Sequence, residues 1–181
     1  MKKPGQAAES WNPIGARKMT NSIDLAISVD CEAWEKALAD VLAITEKATQ
    51  AALESVELPE GPVEVSVLLS DDKTVQDLNK RYRDQDKPTN VLSFAALDSD
   101  DEGFRPEGEP LLLGDVIIAC ETTQKEAEDQ KKSLRDHLCH LTVHGVLHLL
   151  GYDHHDDNEA AKMESLETDI LKGLGIADPY A

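Results

Sequence analysis

Residues 133–155 read SLRDHLCHLTVHGVLHLLGYDHH. Ser133 is a good N-cap, with Asp136 three positions on to face the helix N-terminus. An apolar run follows, and Gly151 suits the left-handed residue that ends a helix and reverses the chain. His144 and His148 are four apart and share one helical face. The reversal brings a third imidazole back to their open end, His154 or His155, with His154 the better fit. Three convergent imidazoles leave a coordination position to spare, which is the catalytic rather than the closed structural zinc arrangement. His137 and His140 lie on nearly the same stripe. His140 and His148 are about 12 Å apart along the axis at ~1.5 Å rise per residue, too far for bonds of roughly 2 Å to one ion. The third ligand therefore comes from beyond Gly151. A single helical histidine is by default an ordinary core or surface residue, but this triplet at this spacing outweighs that default.

The pattern H-x-x-x-H-x-x-G-x-x-H is the ligand spacing of the metzincin proteases. Gly145 stands where those proteases carry their general-base glutamate, so the ligand geometry is expected and peptidase chemistry is not.

The 181-residue length suits one domain with a real core, and no stretch has the roughly 18–20 apolar residues of a membrane span. The basic N-terminus lacks an apolar segment behind it, so no secretory signal is expected. Cys31, Cys120 and Cys139 are three and widely spaced, fitting reduced thiols in a cytoplasmic protein. Cys139 on the histidine helix reads as core rather than ligand. The net charge of −18 opposes a broadly basic nucleic-acid binder, and DNA is not an expected partner.

Working outward, residues 1–21 are polar with Pro4, Gly5, Pro13 and Gly15 and read as a flexible extension ahead of a single domain, 22–181. Ile23, Leu25, Ile27 and Val29 alternate as a strand. Apolar positions at helical spacing (Trp34, Leu38, Leu42, Ile44, Leu53) predict a helix from Glu32 to about Val56. Val63 to Leu69 gives a second strand, and Ser70 is expected to cap a short helix through Tyr82. Val91 to Phe94 is a third strand. Asp98 to Pro110 reads as an acidic solvated loop. Leu111–Leu113 and Val116–Ala119 form a fourth strand that bulges at Gly114, and Asp115 beside it reads as structural. A polar helix from about Glu121 to Gln130 precedes the histidine helix. A final amphipathic helix carries Met163, Leu166, Ile170 and Leu171 and ends at Gly173 or Gly175. The order β-α-β-α-β-β-α-α-α predicts an α+β fold: a small mixed four-stranded sheet covered by helices, with the metal site on a C-terminal helix and the following turn.

Four segments in order resemble the YbeY family of single-domain bacterial endoribonucleases of ribosomal RNA maturation. They are Leu78-Asn79 with Tyr82-Arg83; Asp86-Lys87-Pro88-Thr89-Asn90-Val91-Leu92-Ser93-Phe94; Leu113-Gly114-Asp115-Val116-Ile117-Ile118; and His144 to His154. Met163 and Glu167 also fit, while Ala95 follows Phe94 where the family usually has proline. The resemblance implies one zinc ion held by His144, His148 and His154, and a cleft bearing Arg83. It implies a cytoplasmic, zinc-dependent, single-strand-specific endoribonuclease for 16S rRNA 3′-end maturation and ribosome biogenesis. The implied partners are rRNA, the small ribosomal subunit and ribosome-assembly proteins. Arg83 and His144 are expected to carry catalysis, and Arg83 and Lys87 to bind substrate, since a guanidinium matches phosphate oxygens bidentately. Lys80, Arg81, Arg83 and Lys87 together form the expected phosphate-contacting patch. The proton acceptor stays open between the metal site, Asp153 and the RNA 2′-hydroxyl. A peptide hydrolase, or an assembly protein with a structural zinc, are the competing readings.

Overall fold

A computed structural model of the chain describes residues 22–96 and 109–181. The expectations for residues 1–21 and for all but the end of the acidic stretch 98–110 lie outside the described residues.

The elements run β1 (Ile23–Val29), α1 (Glu32–Ala37), α2 (Val41–Glu54), β2 (Val63–Ser70), α3 (Asp72–Arg83), β3 (Val91–Ala95), β4 (Leu111–Ala119), α4 (Cys120–Asp129), α5 (Leu134–Leu149) and α6 (Asp157–Gly173). The sheet order is β1-β2-β4-β3. β1, β2 and β4 are parallel, and β3 turns back antiparallel along β4 with Leu92 opposite Ile117. This is the expected mixed four-stranded α+β fold.

Alternation decides the sheet's two faces. Val63, Val65, Val67 and Leu69 of β2 point into the main core with Leu113, Val116 and Ile118 of β4. Helices α2 and α5 cover that face, where Ala48 and Ala52, both fully buried, allow α2 to approach closely. On the reverse face, Val75 of α3 joins Leu92, Ile117 and Ala119 in a smaller cluster. The predicted bulge occurs: the register between β2 and β4 slips so that Glu64 faces Leu112 and Val65 faces Gly114. Asp115 is an ordinary ladder residue between Ser66 and Phe94, as read from the sequence.

Three local expectations are corrected. The single helix from Glu32 to Val56 is two, broken where Leu38 is extended (φ −137°, ψ 104°). Trp34, fully buried, donates its indole N–H to the Ser70 carbonyl at 3.1 Å, which fixes α1 at the end of β2. The break restarts the helical phase so that Val41, Ile44, Thr45, Ala48 and Ala52 turn inward, leaving Leu42 48% exposed. Secondly, Ser70 completes β2 opposite Ala119, and Asp71 caps α3 instead by accepting from Thr74 N at 2.8 Å. An ionised carboxylate at the positive helix end outcompetes the serine hydroxyl there. Finally, the buried stripe of α6 is Met163, Glu167, Ile170 and Leu171, with Leu166 only partly covered.

Helix α5 is the element that the others surround. From His137 to Leu149 every residue is buried except His140, His144 and His148. That explains an apolar pattern running nearly all round the helix. Its start is as predicted, Ser133 Oγ accepting from Asp136 N at 3.0 Å.

Candidate metal centre

Gly151 takes φ +86°, a conformation that costs glycine nothing, and the chain turns back past the end of α5. Asp153 shapes this turn, accepting from His154 N at 2.7 Å and holding the His155 ring at 2.7 Å. His155 is thereby engaged elsewhere, and His154 is the imidazole brought to the helix pair. Ring centroids of His144 lie 4.6 Å from His148 and 5.7 Å from His154, and His148 lies 5.1 Å from His154. One donor atom from each of the three falls within 4.8 Å of the others.

The Nε2 atoms of His144 and His148 face each other at 3.0 Å. His144 Nδ1 sits 2.7 Å from Glu167 Oε1, so the proton is on Nδ1 and the Nε2 lone pair points to the shared space. Burial, then the neighbouring His144 and His154, push the His148 pKa down to about 4, leaving a neutral imidazole at pH 7. Tetrahedral nitrogen ligands at zinc–nitrogen distances of about 2.0–2.1 Å sit roughly 3.4 Å apart. The three histidines therefore fit a divalent ion that favours nitrogen.

Glu167 is the site residue that the spacing did not find. It is fully buried, and its carboxylate accepts from His144 Nδ1, from His140 Nε2 at 3.2 Å and from the Tyr180 hydroxyl. Burial alone would raise its pKa, but hydrogen bonds from His140, His144 and Tyr180 outweigh it and hold the carboxyl down at about 2. His140, His144 and Glu167 also satisfy the distance condition for an ion. With its carboxylate already committed to three donors, Glu167 is better described as a brace that fixes the His144 tautomer. The family resemblance includes it beside Met163; from the residues alone its signal is a lone acid on an apolar helical stripe. Tyr180 gave no signal.

Gly145 explains the missing protease glutamate. A Cβ built there would lie 2.5 Å from Val116 Cγ1 and 3.2 Å from Ser93 Oγ, because α5 presses on β3 and β4 at this point. A base at this position would point into the sheet. Gly145→Glu is expected to lose several kcal/mol in chemical denaturation, since overpacking and a buried carboxylate far exceed the helix-propensity gain of under about 1 kcal/mol. A variant as stable as the parent would show that the packing gives way.

Arg83, the last residue of α3, does not pair with Asp84 or Asp86. Its Nη2 donates to the Ser93 carbonyl at 3.3 Å, and Ser93 Oγ donates to the Gly145 carbonyl at 3.0 Å. Two hydrogen bonds thus connect the guanidinium to the residue after His144. Lys80 is paired with Asp86 at 2.7 Å, while Arg81 and Lys87 are exposed. Cys139 is buried in the main core.

An α+β sheet fold with an accessible histidine triad that can hold a metal defines a candidate metal-dependent hydrolase, and similarity makes the class specific. Residues 24–175 match the family model described as Endoribonuclease YbeY. The Endoribonuclease YbeY of Paramagnetospirillum magneticum is 57% identical over 162 residues, covering 90% of this chain and 98% of the relative. That of Rhodospirillum rubrum is 54% identical, covering 82% and 76%. A solution structure of a Thermotoga maritima protein, 21% identical with TM-score 0.50, covers 86% of this chain and 98% of that one and shares the fold. The chain belongs to the YbeY endoribonuclease family. Among the described residues no helix is long and apolar enough to cross a membrane.

Proposed function

We propose that this chain is a zinc-dependent, single-strand-specific endoribonuclease acting in ribosomal RNA processing, including 16S rRNA 3′-end maturation, in the cytoplasm. Its partners in this reading are rRNA within the small subunit and assembly proteins. The observation that carries the reading is the triad itself: His144, His148 and His154 converge at the surface rather than in the core. Zinc bound there supplies Lewis-acid polarisation of a phosphoryl oxygen and activation of water at neutral pH.

The protein's own groups do the rest. His148 presents a neutral imidazole, and Glu167 holds His144 by its Nδ1 so that its Nε2 faces the shared space. Arg83 binds and orients the phosphate, since among the described residues one of its five N–H donors is engaged, by the Ser93 carbonyl. Lys87 adds a second cation. Asp153 is a poor proton acceptor, because the backbone N–H of His154 lowers its pKa and His155 engages its other oxygen. Gly145 removes the peptidase base, which disfavours a protease. The main core closes without the triad, which disfavours a structural zinc.

The test is cleavage of a single-stranded RNA, a duplex of the same sequence and a peptide by purified protein. Chelation is expected to abolish cutting of the single strand and zinc to restore it, with duplex and peptide intact. Peptide cleavage, or RNA cleavage indifferent to chelation, would refute the reading.

A further inference from the structure

Resting on the ribonuclease reading, we infer that Tyr82, backed by Phe94 and flanked by Arg83, is a stacking subsite for one unpaired nucleobase. Tyr82 is 62% exposed in a chain only 4% aromatic. An isolated exposed aromatic would need no explanation, but this one is held in place. Its ring meets Phe94 edge-on, centroids 5.1 Å apart and planes at 65°. Phe94 in turn packs on the cluster of Val75, Leu92, Ile117 and Ala119. A ring already oriented by its neighbour loses little freedom when a base stacks on it.

Position supplies the second argument. Among the described residues β3 pairs only with β4, and the Arg83 guanidinium bonds the Ser93 carbonyl on its other side. Contacts tie the three together: Tyr82 meets Phe94, the adjacent Arg83 bonds Ser93, and Ser93 Oγ bonds Gly145 on the helix carrying His144 and His148. A π-face, a phosphate clamp and a metal-competent triad so connected match successive parts of one RNA strand. Bases inside a duplex are already stacked and cannot use such a ring, so the subsite supplies a physical reason for preferring single strands.

The experiment measures binding of a labelled, single-stranded 2′-O-methyl oligoribonucleotide of about ten nucleotides to the full chain by anisotropy. Tyr82→Ala is expected to weaken binding about five- to hundredfold, whereas Tyr82→Phe and Tyr82→Trp stay within about threefold of the parent. Stacking releases no counterions, so Tyr82→Ala keeps the parental salt slope; Arg83→Ala lowers it by roughly 0.7. An abasic nucleotide at the stacked position should cost the parent the same factor and cost Tyr82→Ala nothing more. Unchanged affinity in Tyr82→Ala, or equal losses in Tyr82→Phe and Tyr82→Ala, would overturn the subsite alone. A parent protein that does not bind the strand would overturn the ribonuclease reading with it. If Tyr82→Ala misfolds, the phenylalanine variant and the abasic probe still decide.

Discussion

Replacing His148 with alanine is expected to reduce RNA cleavage on the order of a thousandfold or more while leaving the fold intact. A lost ligand removes several kcal/mol of charge stabilisation at the reacting phosphate, and each 1.36 kcal/mol is a factor of ten. The fold should survive because His148 contributes little to the metal-free protein. Its ring is partly buried, its pKa is driven to about 4, and its Nε2 faces that of His144 at 3.0 Å. Alanine gives up one hydrogen bond between the rings, about 1 kcal/mol, so the metal-free variant should unfold at most slightly more readily than the metal-free parent. Zinc then separates them: at a thousand times its dissociation constant it stabilises the parent by about 4 kcal/mol and the variant hardly at all. Metal analysis of purified His154→Ala should likewise show loss of stoichiometric zinc. A His148→Ala protein that cleaves at the parental rate would refute the site. One that unfolds without metal would shift the balance towards a structural ion.

These expectations were legible in the sequence because the signals for α5 are local. The Ser133 cap, the four-residue histidine spacing and Gly151 lie within one short segment and act through backbone geometry alone. What the sequence concealed is non-local. Glu167 reaches His144 across 23 positions and Tyr180 approaches His140 across 40, and no periodicity encodes such a meeting. The break at Leu38 was hidden for another reason: both halves of the segment have acceptable helical periodicity, and the bond that ties Trp34 to Ser70 spans 36 positions. Arg83 was identified through motif resemblance, but its partner was not, since a serine carbonyl on an edge strand looks like any other until the fold exposes it. Gly145 was legible as an anomaly and became explicable only once Val116 was found against it.

Glu167 is where the second large effect is expected. Glu167→Ala would leave the His140, His144 and Tyr180 donors without their acceptor in a fully buried position, a loss of about 3–5 kcal/mol. Glu167→Gln keeps the volume and one acceptor oxygen but turns an amide N–H₂ towards a donor. It should cost about 1–3 kcal/mol and weaken zinc binding about 10- to 100-fold, the usual consequence of losing the carboxylate behind a ligand histidine. The pH dependence separates this role from simple packing. The carboxyl titrates at about 2 in the fold against 4.5 when unfolded, so its ionised form contributes about 3 kcal/mol. Because the folded value is the lower one, that contribution is complete above pH 4.5 and disappears as the pH falls towards 2. Measured on metal-free proteins, the stability gap between the parent and Glu167→Gln should therefore be widest near neutrality and narrow steadily through that window. A gap that stays constant from pH 7 to pH 2 would mean that the ionised carboxylate is not what braces His144, and an unchanged zinc affinity in Glu167→Gln would mean that the brace does not matter to the ion.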